Sequence, residues 1–221
     1  EFMAVAAEAL AKNKPILVVK IGRSELAKRQ AISHTGALAG SDEVFDAVCH
    51  RLGLIRCPSL EDLTESTLAF LPGRYPRGQR VAIVVNSGGM KGMLLDHLEE
   101  VGLELAQLSD ATQKALRPLI PAELAVENPL ECGVAGFGDE KRFVEIVRLH
   151  AQDEAVDLLG IHGELPRHPE KREATLFTTL AATTEKPILA FARSTYSLTD
   201  ESRTFQDQAG IPFLQGIKAT L

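Results

Sequence analysis

Val81-Ala82-Ile83-Val84-Val85-Asn86-Ser87-Gly88-Gly89, running on into Met90 to Val101, decides the fold. Five consecutive apolar residues, mostly β-branched, predict a strand buried on both faces, and the small polar turn after them predicts a tight passage into a helix. Toward the carboxyl end the same alternation repeats. Strands are expected at 103–108, 158–161, 188–192 and 211–214, with helices from Ser109-Asp110 through Leu116, over 140–151, 170–184 and 201–209. The proline-interrupted stretch up to Asn128-Pro129 reads as irregular. Strands alternating with helices argue for a parallel sheet covered on both faces, so residues 80–221 are expected to form an α/β, flavodoxin-like doubly wound sheet of five strands.

Toward the amino end, Leu71-Pro72-Gly73-Arg74-Tyr75-Pro76-Arg77-Gly78 mixes two prolines and two glycines with polar residues, and 72–79 reads as a linker. Before it, residues 4–71 predict a helix over 4–12 and a buried strand over 16–19. A small-residue loop then runs through Ser33-His34-Thr35-Gly36 to Gly40. A helix follows from Asp42 to Leu52, with Val44, Phe45, Val48 and Leu52 on one face. After it come a short strand at 54–56 and a helix over 60–71 capped by Ser59. Two strands do not close a doubly wound sheet, so 4–71 reads as the end of a second, incomplete α/β domain. Glu1-Phe2-Met3 reads as a cloning remnant and is set aside.

Composition narrows the function classes. With 45% hydrophobic and 24% charged residues in 221, the chain is an ordinary globular one. A net charge of -6 gives no footprint for nucleic acid or an anionic membrane. Three cysteines, Cys49, Cys57 and Cys132, are an odd number without metal-ligand spacing, which predicts reduced thiols, no metal site and a cytoplasmic home. No apolar run has the length of a membrane span.

Two places carry possible chemistry. His34, among Ser33, Thr35 and Gly36, has the reactivity of a nucleophile, base or ligand; read locally, it is equally a loop histidine beside a capping hydroxyl. Asn86, Ser87, Gly88 and Gly89 stand where a strand ends and a helix begins, so amide N–H groups and the helix dipole converge on a turn with no bulky side chain, and phosphate is the natural guest. The turn is neither a G-x-G-x-x-G fingerprint nor a Walker loop, and Lys91 beside it either adds a charge or faces solvent. Asn128-Pro129-Leu130-Glu131 reads as a proline-fixed turn with a surface carboxylate, Cys132 as a small buried thiol and His162 as a satisfied strand-end histidine. Flavin is disfavoured: there is no Trp, and Tyr75 and Tyr196 are the only tyrosines.

Lys14-Pro-Ile-Leu-Val-Val-Lys-Ile-Gly-Arg-Ser-Glu25 and Ala31-Ile-Ser-His-Thr-Gly-Ala-Leu-Ala-Gly-Ser-Asp42 closely resemble the NDP-forming acyl-CoA synthetases, relatives of succinyl-CoA synthetase. The resemblance continues through Val81 to Gly89, whose turn is similar to the family's Asn-x-Gly-Gly loop, through Asn128 to Glu131, and to Ala209-Gly-Ile-Pro212. It implies that His34 is the phosphorylated residue, carrying a phosphoryl group from an acyl phosphate to a nucleoside diphosphate, and that Asn86 to Gly89 supply a helix terminus to it. It also implies a small acyl acid, CoA and Mg-ATP/ADP as substrates, none held tightly by this chain, with CoA-binding and ATP-grasp domains as absent partners. Two positions depart from the family pattern: Met90-Lys91 stands where the family has Pro-Gly, and Glu131 where it has Asp. The reading from another class is a non-catalytic ligand-sensing module of a larger protein such as an acetyltransferase. The acyl group stays open, and an incomplete domain with exposed apolar surface favours a homo-oligomer or contact with further segments.

Overall fold

The computed structural model describes residues 1–35, 40–101, 103–165, 172–192 and 199–215. The chain divides into two compact units, Glu1–Thr67 and Leu68–Leu221.

In the first unit α1 (Phe2–Ala11) leads to β1 (Ile16–Val19), α2 (Glu25–Thr35), α3 (Asp42–Leu52) and β2 (Leu54–Cys57); α4 (Leu60–Phe70) crosses the boundary between the units. The two strands pair in parallel, Ile16 opposite Leu54 and Val19 opposite Cys57. Contrary to expectation, β1 is only half-buried along its length, and Phe2, set aside above, lies in α1 and stacks on Phe45 with ring centroids 6.3 Å apart. Val44 is 64% exposed, so the buried side of α3 is made by Phe45, Val48, Cys49 and Leu52 without it. Ser41 caps α3, and Gly53 ends it in the left-handed conformation at φ 62°, which costs glycine nothing.

The helix α2 corrects the loop expected around His34. Leu26, Ala27, Lys28, Arg29, Gln30 and Ala31 are strong helix formers. Ser24 starts the helix by accepting the Ala27 N–H at 3.1 Å, and Glu25 pairs with Lys28 at 2.7 Å. Propensity and cap together carry the helix through His34 to Thr35, which puts the His34 backbone in its last turn. Gly36, in the rest of that expected loop, lies outside the described residues.

The second unit begins with β3 (Arg80–Val85) and α5 (Gly88–Val101), followed by β4 (Glu104–Leu105), α6 (Asp110–Leu116), β5 (Leu130–Glu131), α7 (Gly133–Gly138), α8 (Glu140–Gln152), β6 (Leu158–His162), α9 (Arg172–Ala182), β7 (Ile188–Ala192), α10 (Asp200–Ala209) and β8 (Phe213–Gln215). The sheet is parallel throughout, in the order β4-β3-β6-β7-β8, and β5 pairs with β3 as well. β4 takes the start of the β3 edge, Arg80 opposite Glu104, and β5 its end, Val85 opposite Glu131. Counted as one interrupted strand, they give the flavodoxin-like order 2-1-3-4-5. Alternation along β3 sends Val81, Ile83 and Val85 to one face, against Met90, Leu94 and Leu98 of α5, and Ala82 and Val84 to the other, against a core that includes Leu116, Phe143, Ile146 and Val147.

The expected strand over 103–108 shrinks to two residues, and β5 appears where Asn128-Pro129-Leu130-Glu131 was read as a proline-fixed turn. One side chain spans the interruption. Asn128 Oδ1 accepts the Ile83 N–H at 2.9 Å, and its Nδ2 donates to the carbonyls of Val81 at 2.7 Å and Ala106 at 2.9 Å. An amide side chain thus makes the bonds that a strand backbone would make there.

Two aspartates fasten the opposite end of the sheet. Asp157 accepts from the Arg80 N–H, Nε and Nη2 at 3.1, 2.9 and 3.0 Å, and these bonds hold its carboxyl below the usual range. Gly78 is pressed so closely by this carboxylate that a Cβ there would collide with it. Arg74 donates to the carbonyls of Ala181, in the last turn of α9, and Thr184 just beyond it, so 72–79 is fastened to the second unit. Burial works against the charge of Asp153, but the N–H groups of Ala155 and Ser109, at 2.9 and 2.8 Å, outweigh it and lower its pKa. A carboxylate whose folded pKa lies below its ordinary 3.8 adds stability that is complete above that value and is lost as pH falls through the folded one. Asp153→Ala is therefore expected to lower unfolding stability by about 1–3 kcal/mol at pH 7 and to flatten its loss in acid, as measured by urea unfolding between pH 7 and pH 3.

Candidate functional site

At the carboxyl end of β3 the chain turns through Asn86 and Ser87 into α5. Ser87 is the pivot: its carbonyl accepts the Lys91 N–H at 3.1 Å, and its hydroxyl lies 3.4 Å from the Met90 N–H. The N–H groups of Gly88 and Gly89 precede these bonds at exposed positions, with no acceptor among the described residues. Around the Cβ position of Gly89 nothing lies within 4 Å. A fourteen-residue helix therefore opens its positive end, uncovered, at the edge of the sheet where α/β folds take ligands.

The neighbouring side chains refine the site. Lys91 Nζ is held by Glu127 at 2.5 Å, so its charge is already paired. Glu131, read above as a surface carboxylate, is half-buried at the end of β5, and its Oε2 lies 3.0 Å from the Cβ position of Gly88. A side chain larger than hydrogen at residue 88 would have to displace it. The Glu131 charge opposes a bare anion and favours one that brings a proton or a cation with it. The register of β5 on β3 makes this contact, and that register depends on Asn128, so sequence alone gave no sign of it.

The other candidates resolve individually. Cys132 is fully buried, and burial pushes its thiol up to about 12, far from the thiolate a nucleophile needs. Cys49 and Cys57 are also buried. His162 ends β6, buried, with its ring edge-on to Phe191, and Gly163 after it is required because a Cβ would enter the Phe177 ring. His34 belongs to the first unit, and its side chain lies outside the described residues. Among the described residues no group of three His, Cys, Asp or Glu side chains is placed to hold a metal ion, and no helix is long and apolar enough to cross a membrane.

Comparison with known proteins agrees with this architecture. Residues 1–70 match the succinyl-CoA ligase like flavodoxin domain. Over 211 residues, 93% of this chain and 45% of the relative, it is 30% identical to the acetate–CoA ligase [ADP-forming] II subunit alpha of Pyrococcus furiosus. Over 159 residues, 72% of this chain and 22% of the relative, it is 35% identical to the acetate–CoA ligase [ADP-forming] I of Archaeoglobus fulgidus. In fold it is similar, at TM-score 0.79 and 21% identity over 99% of this chain and 47% of the other, to a dinucleotide forming acetyl-coenzyme A synthetase 1 of Ca. Korarchaeum cryptofilum solved with phosphate and ADP. The chain spans less than half the length of these relatives, and it belongs, as a partial chain, to the ADP-forming acyl-CoA synthetase family.

Proposed function

We propose that this chain is the part of an NDP-forming acyl-CoA synthetase that relays the phosphoryl group: residues 4–71 carry His34 as the residue phosphorylated, 72–79 join, and 80–221 form the ligase domain that cradles the phosphate. The complete protein interconverts acyl-CoA, ADP and phosphate with free acid, CoA and ATP in the cytoplasm. A neutral imidazole nitrogen of His34 attacks the phosphorus of an acyl phosphate, the bond to the carboxylate oxygen breaks, and the carboxylate leaves with the electron pair. The phosphoryl group then passes to the nucleoside diphosphate. Asn86, Ser87, Gly88 and Gly89 stabilise its negative charge through backbone N–H groups and the helix dipole. CoA, nucleotide and Mg²⁺ bind chiefly to CoA-binding and ATP-grasp domains beyond these residues.

The observation that supports this reading best is the uncovered amino end of α5, with two exposed glycine amides and open space at Gly89. Gly89→Asp tests it in the complete protein. The position has room, and an acidic residue in the first turn of a helix stabilises it by about 0.3–1 kcal/mol, so the variant is expected to fold at least as well as the parent. Its carboxylate then occupies the cradle, and acyl-CoA-dependent ATP formation is expected to fall by roughly tenfold or more. Parent-like activity in a folded Gly89→Asp protein would remove the cradle from the mechanism.

A further inference from the structure

At the end of the second unit's sheet opposite the Asn86–Gly89 turn lies a cavity of about 630 Å³ to which the reading above gives no use. It is lined by residues at or just before the starts of β3, β6 and β7, by the last turn of α8, and by Tyr75 and Arg77 from the segment before β3. Lys186 is the one amine among the described residues that line it. The Lys186 Nζ donates to the Asp153 carbonyl at 2.7 Å, and no carboxylate stands within ion-pair distance of it among the described residues. A half-buried amine with no carboxylate paired to it favours its neutral, nucleophilic form more than an exposed one does. Burial accordingly lowers the Lys186 pKa, outweighing the opposing carboxylates of Asp153, Asp157 and Glu154, with Arg80 acting in the same direction as burial. On the surface Lys28 shows the contrary case, raised by its hydrogen bond to Glu25.

The remaining walls suit one kind of reagent. Arg77, exposed and without an ion-pair partner among the described residues, offers a charge to a phosphate, whereas Arg80 is neutralised by Asp157. Tyr75, Val156 and Pro187 add apolar surface for a short acyl group, and the exposed Glu154 and Glu185 are the carboxylates such a reagent must pass. We propose that this cavity receives activated acyl donors, acyl phosphates or acyl thioesters with a phosphate-bearing tail, and that Lys186 is acylated within it. The amine lone pair attacks the acyl carbon, a C–N bond forms, and the bond to the phosphate oxygen or thiolate sulfur breaks. The leaving group departs with the electron pair, and the proton lost from nitrogen goes to solvent. The amide keeps one N–H for the Asp153 carbonyl and removes a positive charge.

The test is kinetic and uses the 221-residue chain with acetyl phosphate or acetyl-CoA, the initial rate at each lysine being read by peptide mass spectrometry. Lys186 is expected to acetylate at least about threefold faster than the exposed Lys12, Lys14, Lys114 and Lys141. Selectivity with one donor alone identifies the source as acyl phosphate or thioester; selectivity with both assigns the shared chemistry. Arg77→Ala is expected to lower the Lys186 rate severalfold and leave the exposed lysines unchanged. His34→Ala is expected to leave it unaltered, so this proposal and the phosphoryl relay fail separately. Lys186 acetylating no faster than the exposed set with either donor overturns it, as does unchanged selectivity in Arg77→Ala.

Discussion

His34→Ala in the complete protein is expected to reduce ATP formation from acyl-CoA, ADP and phosphate by about a thousandfold or more, while its thermal unfolding stays close to that of the parent. The size of the effect follows from the role proposed. Alanine offers no lone pair to phosphorus, and a relay through a covalent intermediate has no second route when the nucleophile is gone. The stability expectation follows from position: residue 34 stands in the last turn of α2, where alanine is at least as good a helix former as histidine. A histidine that merely completes the helix would give parent-like turnover on substitution. Reduced turnover accompanied by general unfolding would call for His34→Gln or His34→Asn as the comparison.

Asn128→Ala is expected to be the most destabilising single change in the second unit that leaves the apolar core intact, by about 2–5 kcal/mol in urea unfolding. Its amide satisfies the Ile83 N–H and the Val81 and Ala106 carbonyls between β4 and β5, and water has poor access to those groups once the side chain is gone. Asn128→Asp separates size from hydrogen bonding. It keeps the acceptor for Ile83 but sets its second oxygen against two carbonyls, so it is expected to be no more stable than the alanine variant. The Asn86–Gly89 turn proposed to hold phosphate should suffer as well, since β5 and Glu131 follow directly. A loss below about 1 kcal/mol in both variants would mean that the strand interruption is held by something other than this amide.

What was legible in the sequence was what local periodicity and caps determine. Val81 to Val85 is apolar enough to leave no other reading than a buried strand, Ser109 and Ser59 announce their helices, and α8 shows its buried stripe through Phe143, Ile146 and Val147. The parallel order followed from alternation. Most of what failed depended on contacts distant in sequence. A two-residue strand such as β5 has no periodicity of its own and exists because Asn128 positions it on β3. The loop expected around His34 turned helical because small polar residues at the end of a good helix-forming run weigh less than the run itself. The Asn86–Gly89 turn was visible as a pattern, whereas Glu131 over Gly88 and Lys91 held by Glu127 needed the tertiary fold.

The central claim is that His34 carries the phosphoryl group, and intact mass tests it most directly. The complete protein is incubated with Mg-ATP, and its mass is read before and after brief acid treatment, beside His34→Ala. The relay predicts a gain of one phosphoryl group that acid removes and that the variant never acquires. A parent protein that gains nothing, or a gain that persists in His34→Ala, would contradict it and turn the interpretation toward a ligand-sensing module.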